Sequence, residues 1–532
     1  MRLGIDFGTT RIVAARVDRG NYPLVSFECP DSASRDWFPA LASFHVERPE
    51  NRVFGWEAWA RQSEHGWTSI RSLKRLLSAV GPLTPISVGP HQVVAMDLFV
   101  QLATAFREAL ERSIGDERKP GEAFEIILGV PAHANSNQRF VTAEAFRLAG
   151  FHVLAMLNEP SAAAIEYGHR NQLKKDKILV YDLGGGTFDV SLVEMTESER
   201  SVLASEGIAT LGGDEFDVVL AEMALEQVDK DATALNQQQW YLLVEACREK
   251  KETLNPNSRK VELDLDSIAE GIATEGARAT IPVADYYERA WPLVTETLHA
   301  TEDLLRLYGG VDSVEAIYVT GGGSELPLVA RLLRERFGRK VKRSAYMRAA
   351  TAIGLAIHAD QQSGYTLKER FHQYFGVWRE ADRGSRVVFD PVFSKGTVLP
   401  AAKQAALEVK RTYRPVHNVG HFRFLESTRI AEDQQPEGEL TYWDEIQFPF
   451  DPSLEKVEDL ATIPVGHNER AAACQVEEVY RCDANGRVSV EIRNLTTGHS
   501  RQYPLARWGH KAEPVAVEGP AKKRRAKKAA KA

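Results

Sequence analysis

The sequence predicts a multidomain α/β protein with a duplicated first domain, followed by a small all-β domain. Three observations carry this. Strand and helix patterns alternate from Met1 to about Ala359. Two hairpins of one plan, each a strand, an aspartate, a glycine turn and a return strand, lie far apart in that stretch. Beyond about Gln361 the texture changes to short alternating segments between turn signals. The expected divisions are 1–360, a linker at 361–370, a β-rich part at 371–510 and a disordered basic tail at 511–532.

The first hairpin is Leu3-Gly4-Ile5-Asp6-Phe7-Gly8-Thr9-Thr10-Arg11-Ile12-Val13. Its counterpart is Val180-Tyr181-Asp182-Leu183-Gly184-Gly185-Gly186-Thr187-Phe188-Asp189-Val190, with Phe188, Val190 and Leu192 on one face of the return strand. Three consecutive glycines disfavour regular structure and permit a sharp turn or a very close approach. Such a tip exposes backbone N–H groups that suit a phosphate. Carboxylates beside a phosphate repel it unless a hard cation intervenes, which implies Mg²⁺. A third glycine turn, Val319-Thr320-Gly321-Gly322-Gly323-Ser324-Glu325-Leu326-Pro327, follows a strand at Ala316–Val319 and precedes a helix ended by Gly338. Two facing hairpins with a third turn predict halves closing on a nucleotide.

Between these landmarks, Phe124–Gly129 reads as a strand and Gln138–Ala149 as a helix closed by Gly150. His152–Leu157 reads as a strand leading through Asn158-Glu159-Pro160 into a small-residue helix over Ser161–Tyr167. In the β-rich part, Arg386–Phe389, Phe422–Leu425 and Val488–Ile492 alternate, and Asp483-Ala484-Asn485-Gly486 marks a hairpin.

The composition, 43% apolar and 26% charged over 532 residues, excludes a wholly disordered chain and is too long for one core. No basic-then-apolar leader and no bilayer-length apolar run are visible, so no membrane association is expected. Cys29, Cys247, Cys474 and Cys482 lack metal-type spacing, which points to idle thiols in a reducing compartment, the cytoplasm. The net charge is −8, yet seven positive charges fall between Lys522 and Lys531, leaving the body at −15. Such a tail raises the question of nucleic acid, but no aromatic residue is interleaved with its charge, and a solvated tail is the better reading.

With these parts in place, the sequence resembles the seventy-kilodalton heat-shock chaperones (DnaK-type). The matching motifs are Ile5 to Thr10, Asn158-Glu159-Pro160-Ser161-Ala162-Ala163-Ala164-Ile165, Asp182 to Ser191, Leu211-Gly212-Gly213-Asp214-Glu215-Phe216-Asp217, and Thr320 to Pro327. They keep the family's order over about 360 residues. A weaker likeness to its β-sandwich substrate domain rests on Lys395-Gly396-Thr397-Val398-Leu399-Pro400 and Tyr480 to Val490. The resemblance implies an actin-like ATPase domain binding ATP or ADP with Mg²⁺, then a domain binding unfolded or extended polypeptide, with co-chaperones as partners.

It also implies roles. Asp6, Asp182 and Asp189 would hold Mg²⁺ through its waters. Backbone at Thr9, Thr10, Gly185, Gly186 and Thr187 would cradle phosphates, with Gly8, Arg11 and Gly213 also binding the nucleotide. Lys74 would position the attacking water, with Glu159 near the metal and Asp6, Asp182 and Thr187 completing the catalytic set. Gly322, Gly323, Ser324 and Glu325, with Arg248, Lys251, Glu252 and Asn255 on one helical face, would border adenosine. Pro131 and Arg139 match an interdomain relay, and Val377 and Leu407 are expected in the walls of the peptide cleft.

Three departures qualify this picture. Glu252 and Glu325 stand where the family has adenine-stacking arginines, and a carboxylate offers no planar cation; an Arg248–Glu252 pair and weak adenine discrimination are expected. The linker Tyr365-Thr366-Leu367-Lys368-Glu369 is half polar, which predicts weak docking and weak interdomain coupling. Only Ala506 to Ala532 follow the last β segment, too short for the family's helical lid. The leading expectation is therefore a lidless, slowly ATP-hydrolysing chaperone. The alternative is a nucleotide-gated binding or scaffold protein with little turnover. A small-molecule kinase of the same fold is disfavoured by the β domain.

Overall fold

The computed structural model describes residues 1–119, 121–132, 134–171, 176–196, 199–268, 270–274, 276–360, 366–368, 370–371, 373–381, 386–400, 404–484, 486–505 and 515–516. Its architecture is mixed α/β with several sheets. One sheet has five strands in the order His152–Asn158, Glu125–Val130, Arg2–Phe7, Arg11–Arg16, Phe38–Pro39. A second has six, in the order Val341–Arg343, Ala316–Thr320, Asp176–Leu183, Phe188–Met195, Glu199–Ile208, Thr366–Lys368.

In both sheets the aspartate-bearing strand pairs antiparallel with its hairpin partner and parallel with its other neighbour. The register places Asp6 opposite Val13, and Asp182 opposite Asp189. Both aspartates end buried strands, so the fold delivers their carboxylates to the same edge as the glycine turns.

The helix Ala350–Ala359 packs against both Arg2–Phe7 and the helix Glu159–Asn171. It is apolar on nearly every side, as a helix enclosed by other elements must be. The approach is close enough to demand glycine: a Cβ on Gly4 would strike the Ala356 backbone, and one on Gly354 would strike Ala162. The four cysteines are buried and free. Among the described residues, no helix is long and apolar enough to cross a membrane.

The C-terminal part holds two four-stranded antiparallel sheets. One runs Arg386–Phe393, Tyr374–Ala381, Val419–Ile430, Pro436–Pro449; the other runs Leu407–Tyr413, Val476–Cys482, Val488–Asn494, Ser500–Leu505. Phe375, Val377, Phe424, Tyr480 and Val490 belong to one shared core. Within it, Arg379 reaches across to donate to the fully buried Glu478 at 2.7 Å. An unpaired charge at that depth would be strongly unfavourable, so the pair fixes the two sheets against each other.

Several expectations are corrected. The helix expected at Ser161–Tyr167 runs from Glu159 to Asn171, because Pro160 fits the first turn and Gly168 is tolerated inside a fully packed helix. The helix expected to carry Arg248, Lys251, Glu252 and Asn255 spans Gln237–Glu252, started by an Asn236/Gln239 capping box, so Asn255 lies beyond its end. Linker residues Thr366–Lys368 form an edge strand parallel to Glu199–Ser201. Edge pairing uses main-chain groups, so polar side chains do not prevent it. Tyr365 and Glu369 lie outside the described residues. Val515–Ala516, expected within a disordered tail, pairs in parallel with Ile86–Ser87; residues 517–532 lie outside the described ones.

Candidate functional site

The two hairpin tips meet across a cleft whose walls include Asp6, Gly8, Thr9, Thr10, Lys74, Glu159, Asp182, Gly185, Thr187 and Gly213. Close approach explains the glycines. A Cβ on Gly185 would lie 3.0 Å from the Thr10 side chain, and one on Gly186 would lie 2.6 Å from Thr9 Cγ2. The loop at Gly212 nests equally tightly, since a Cβ there would meet the Gly186 backbone at 2.6 Å. Backbone hydrogen bonds knit these turns together: Gly213 N donates to Gly184 O at 2.9 Å and Asp214 N to Gly185 O at 2.7 Å. The third turn closes the same corner, where a Cβ on Gly321 would strike Asp182 Oδ1 and the Leu183 carbonyl. Gly321 has φ +87°, a conformation that favours glycine.

At the cleft floor, Lys74 Nζ donates to Glu159 Oε1, and both side chains are nearly buried, at 7% and 10% exposure. Lys74 rides on the short helix Leu73–Leu76. It is preceded by Ser72, whose left-handed backbone (φ 56°) is accompanied by an Oγ–H donated to Asp214 Oδ2 at 2.5 Å. A serine in that region is uncommon and is held here by its partner.

The electrostatics are those of crowded carboxylates. Burial raises Asp182, with Glu159, Asp189 and Asp6 adding to the rise and Lys74 opposing it. Burial likewise pushes Glu159 up to about 7 and raises Asp6, again against the pull of Lys74. Burial by itself would lower Lys74, but Glu159, Asp6 and Asp189 overcome that and keep its ammonium charged. Four carboxylates around one ammonium form a site short of positive charge, which a divalent cation fits. Among the described residues, no three His, Cys, Asp or Glu side chains converge as a direct ligand set. Asp6, Glu159 and Asp182, which line the cleft together, are the residues that could hold such a cation.

The far end of the cleft departs from expectation. Arg248 pairs with Glu245, not with Glu252, because Glu245 is buried beside it while Glu252 accepts from Arg11 and Arg348. Lys251 Nζ is tied to Asp217 Oδ1 and Gly213 O, each at 2.6 Å. Glu252 accepts from Arg11 Nη2 at 2.5 Å and from Arg348 Nη1 at 3.1 Å, while Glu325 accepts from Arg348 Nε at 2.7 Å. Gly322 and Gly323 line the cleft; Ser324 is fully buried and turns its Oγ onto Thr320 O. Asn255 is corrected as a cleft residue: its backbone closes a turn with Ser258 past the helix end, and it does not line the cleft.

Asp189 faces an adjoining pocket shared with Lys74, Pro131 and Gln373. Arg139 is buried, donates to Asn158 Oδ1 at 2.5 Å, and borders a small pocket with Phe371, Leu399, Glu426 and Gly486. Pro131 and Arg139 thus sit where the α/β part meets the β-rich part. Val377 is corrected as a cleft wall, since it is fully buried in the β-rich core; Leu407 packs part-buried against the same cluster from the other sheet.

Sequence reasoning missed Arg348, Arg71 and Ser72. Arg71 links Asp214, Asp217 and Glu245, and its place in Arg71-Ser72-Leu73-Lys74-Arg75 was a usable signal. Arg348 had none, because it stands on an unremarkable loop ahead of a helix.

Against known proteins, residues 89–372, more than half of the chain, match the family model described as Hsp70 protein. The chain is 32% identical over 373 residues to the chaperone protein HscA homolog of Tolumonas auensis, covering 67% of this chain and 57% of that protein. It is 31% identical over 384 residues to the HscA homolog of Variovorax paradoxus, covering 68% and 58%. It is 32% identical over 378 residues to the chaperone protein HscA of Proteus mirabilis, covering 67% and 57%. The alignments thus span less than three-fifths of the length of these relatives. Facing glycine hairpins, a buried lysine among carboxylates and the match over residues 89–372 agree: the chain belongs to the Hsp70 family.

Proposed function

We propose that the cleft binds ATP or ADP with Mg²⁺ and hydrolyses ATP, and that the β-rich part binds extended polypeptide, making the protein an ATP-dependent chaperone. The observation that carries this reading is the buried Lys74–Glu159 pair beside Asp6 and Asp182, beneath two facing glycine hairpins. The duplicated, actin-like arrangement of the α/β part belongs to the same proposal.

In this reading, backbone N–H groups at Thr9, Thr10, Gly185, Gly186 and Thr187 receive the phosphates at their exposed turns. Asp6, Asp182 and Asp189 would hold the cation, which would supply positive charge against the phosphates. Lys74 does the protein's own work. Its charged ammonium, fixed by Glu159, orients a water for in-line attack and offsets charge gathering on the γ-phosphoryl oxygens. No covalent intermediate is needed. Pro131 and Arg139, at the junction with the β-rich part, would pass nucleotide state to the polypeptide site together with the docked strand Thr366–Lys368.

The names of the relatives, all chaperones, support polypeptide as the partner class; co-chaperones as regulators belong to the proposal. The buried, unpaired cysteines favour the cytoplasm. The test is phosphate release by the purified full chain, with and without an unfolded peptide. Hydrolysis that rises with added peptide is expected; magnesium-dependent binding of ATP with no peptide effect would overturn the chaperone part.

A further inference from the structure

The two glutamates that replace the expected base-binding arginines do not leave the cleft without a planar cation. They hold one. Arg348 lines the cleft, and its side chain runs along the third glycine turn, 3.7 Å from where a Cβ on Gly322 would sit. Nη1 donates to Glu252 and Nε to Glu325, so carboxylates from two separate elements grip the guanidinium. Guanidinium hydrogen bonds lie in the plane of the group and leave its π faces open. The side chain is 32% exposed, which is enough for a ligand to reach it.

The neighbouring cations are otherwise engaged. Arg11 also donates to Glu252, but it lies over the Trp37 ring at 4.5 Å, which covers one of its faces. Arg248 is buried, paired with Glu245 and set over the Trp59 ring at 5.5 Å. Lys251 is a point charge committed to Asp217 and the Gly213 carbonyl. Arg11 therefore anchors Glu252, Glu252 and Glu325 anchor Arg348, and Arg348 presents a flat cation at the cleft wall.

We propose that the nucleotide base stacks on Arg348, with Glu252 and Glu325 as the residues that position it. The proposal rests on the nucleotide reading of the cleft and adds the residue that recognises the base. Stacking on a guanidinium accepts either purine, so it provides affinity for a planar ring rather than discrimination between adenine and guanine.

The experiment compares ATP with inorganic triphosphate, which has the phosphates and no base, by titration calorimetry on the full chain with MgCl₂. Wild type is expected to bind ATP more tightly than triphosphate. Arg348→Ala should weaken ATP about tenfold while changing triphosphate affinity by less than about twofold. Arg348→Lys, which keeps the charge but not the plane, should show most of the same loss. Because Arg348 is part-exposed, both variants should melt like wild type. Equal weakening toward both ligands would assign Arg348 to the phosphates and overturn the proposal, as would an unchanged ATP affinity. A wild-type protein that binds neither ligand would instead overturn the nucleotide reading itself.

Discussion

The α/β part and the β-rich part answer differently to the same kind of reading. In the α/β part, residues picked out far apart in sequence (Asp6, Lys74, Glu159, Asp182 and Gly185) line one cleft. In the β-rich part, Val377 is absorbed into the core and Leu407 packs beneath it on the other sheet. The difference lies in how tightly each task restricts residue type. A turn at which an added Cβ would lie 2.6 Å from a neighbouring side chain admits only glycine, and a charge-bearing floor admits only ionisable groups. A valine, by contrast, serves a buried core and an apolar cleft equally well.

The largest effect that would break this comparison belongs to the cleft. Lys74→Ala and Asp182→Asn should each lower single-turnover ATP hydrolysis by about 10²–10³-fold, the usual loss when a positioned charge leaves such a site. Thermal melts should report whether the fold is retained. Near-normal single-turnover rates in both variants would return Lys74 to a structural ion pair with Glu159.

A middle-sized effect tests the β-rich part. Val377→Ala should destabilise that part by about 2 kcal/mol, and Val377→Asp by more than about 3 kcal/mol, because a carboxylate would be buried with no partner. Urea unfolding followed by tryptophan fluorescence reads this, since Trp443 belongs to the same core. Unchanged stability with altered peptide affinity would mean that Val377 opens to a ligand after all.

The smallest effect concerns acid. Burial lowers His358 to about 4, and among the described residues its Nδ1 has no hydrogen-bond partner. The unfolded chain takes up this proton near the ordinary value of 6.5, before the folded one does. His358 therefore contributes stability that is present above pH 6.5 and is lost as pH falls toward 4. Replacing it with leucine should flatten the pH dependence of the urea midpoint between pH 7 and 5 while leaving the cleft variants' phenotypes alone. An identical slope in the variant would place the acid sensitivity elsewhere.

Legibility varied within the cleft itself. The helix bearing Arg248, Lys251 and Glu252 was visible from its pattern, yet its pairing was not. Arg248 turns back to Glu245 and Glu252 crosses to Arg11, some 240 positions away, and no spacing rule reaches that far. Asn255 followed the same face on paper but fell past a helix that ends at Glu252. The half-polar linker was read from its side chains, whereas its docking is a matter of backbone pairing at a sheet edge.

By itself, the sequence determined the strand and glycine-turn plan, the aspartates at the strand ends and the change of texture near residue 361. Each of these is a local demand of backbone conformation or period, written within a few neighbouring residues. Only the tertiary structure decided which charges meet. It brought Lys74 to Glu159, set Arg348 between Glu252 and Glu325, and buried Val377. Those outcomes depend on which elements pack together in space, and an ionisable or apolar side chain carries no mark of its partner along the chain.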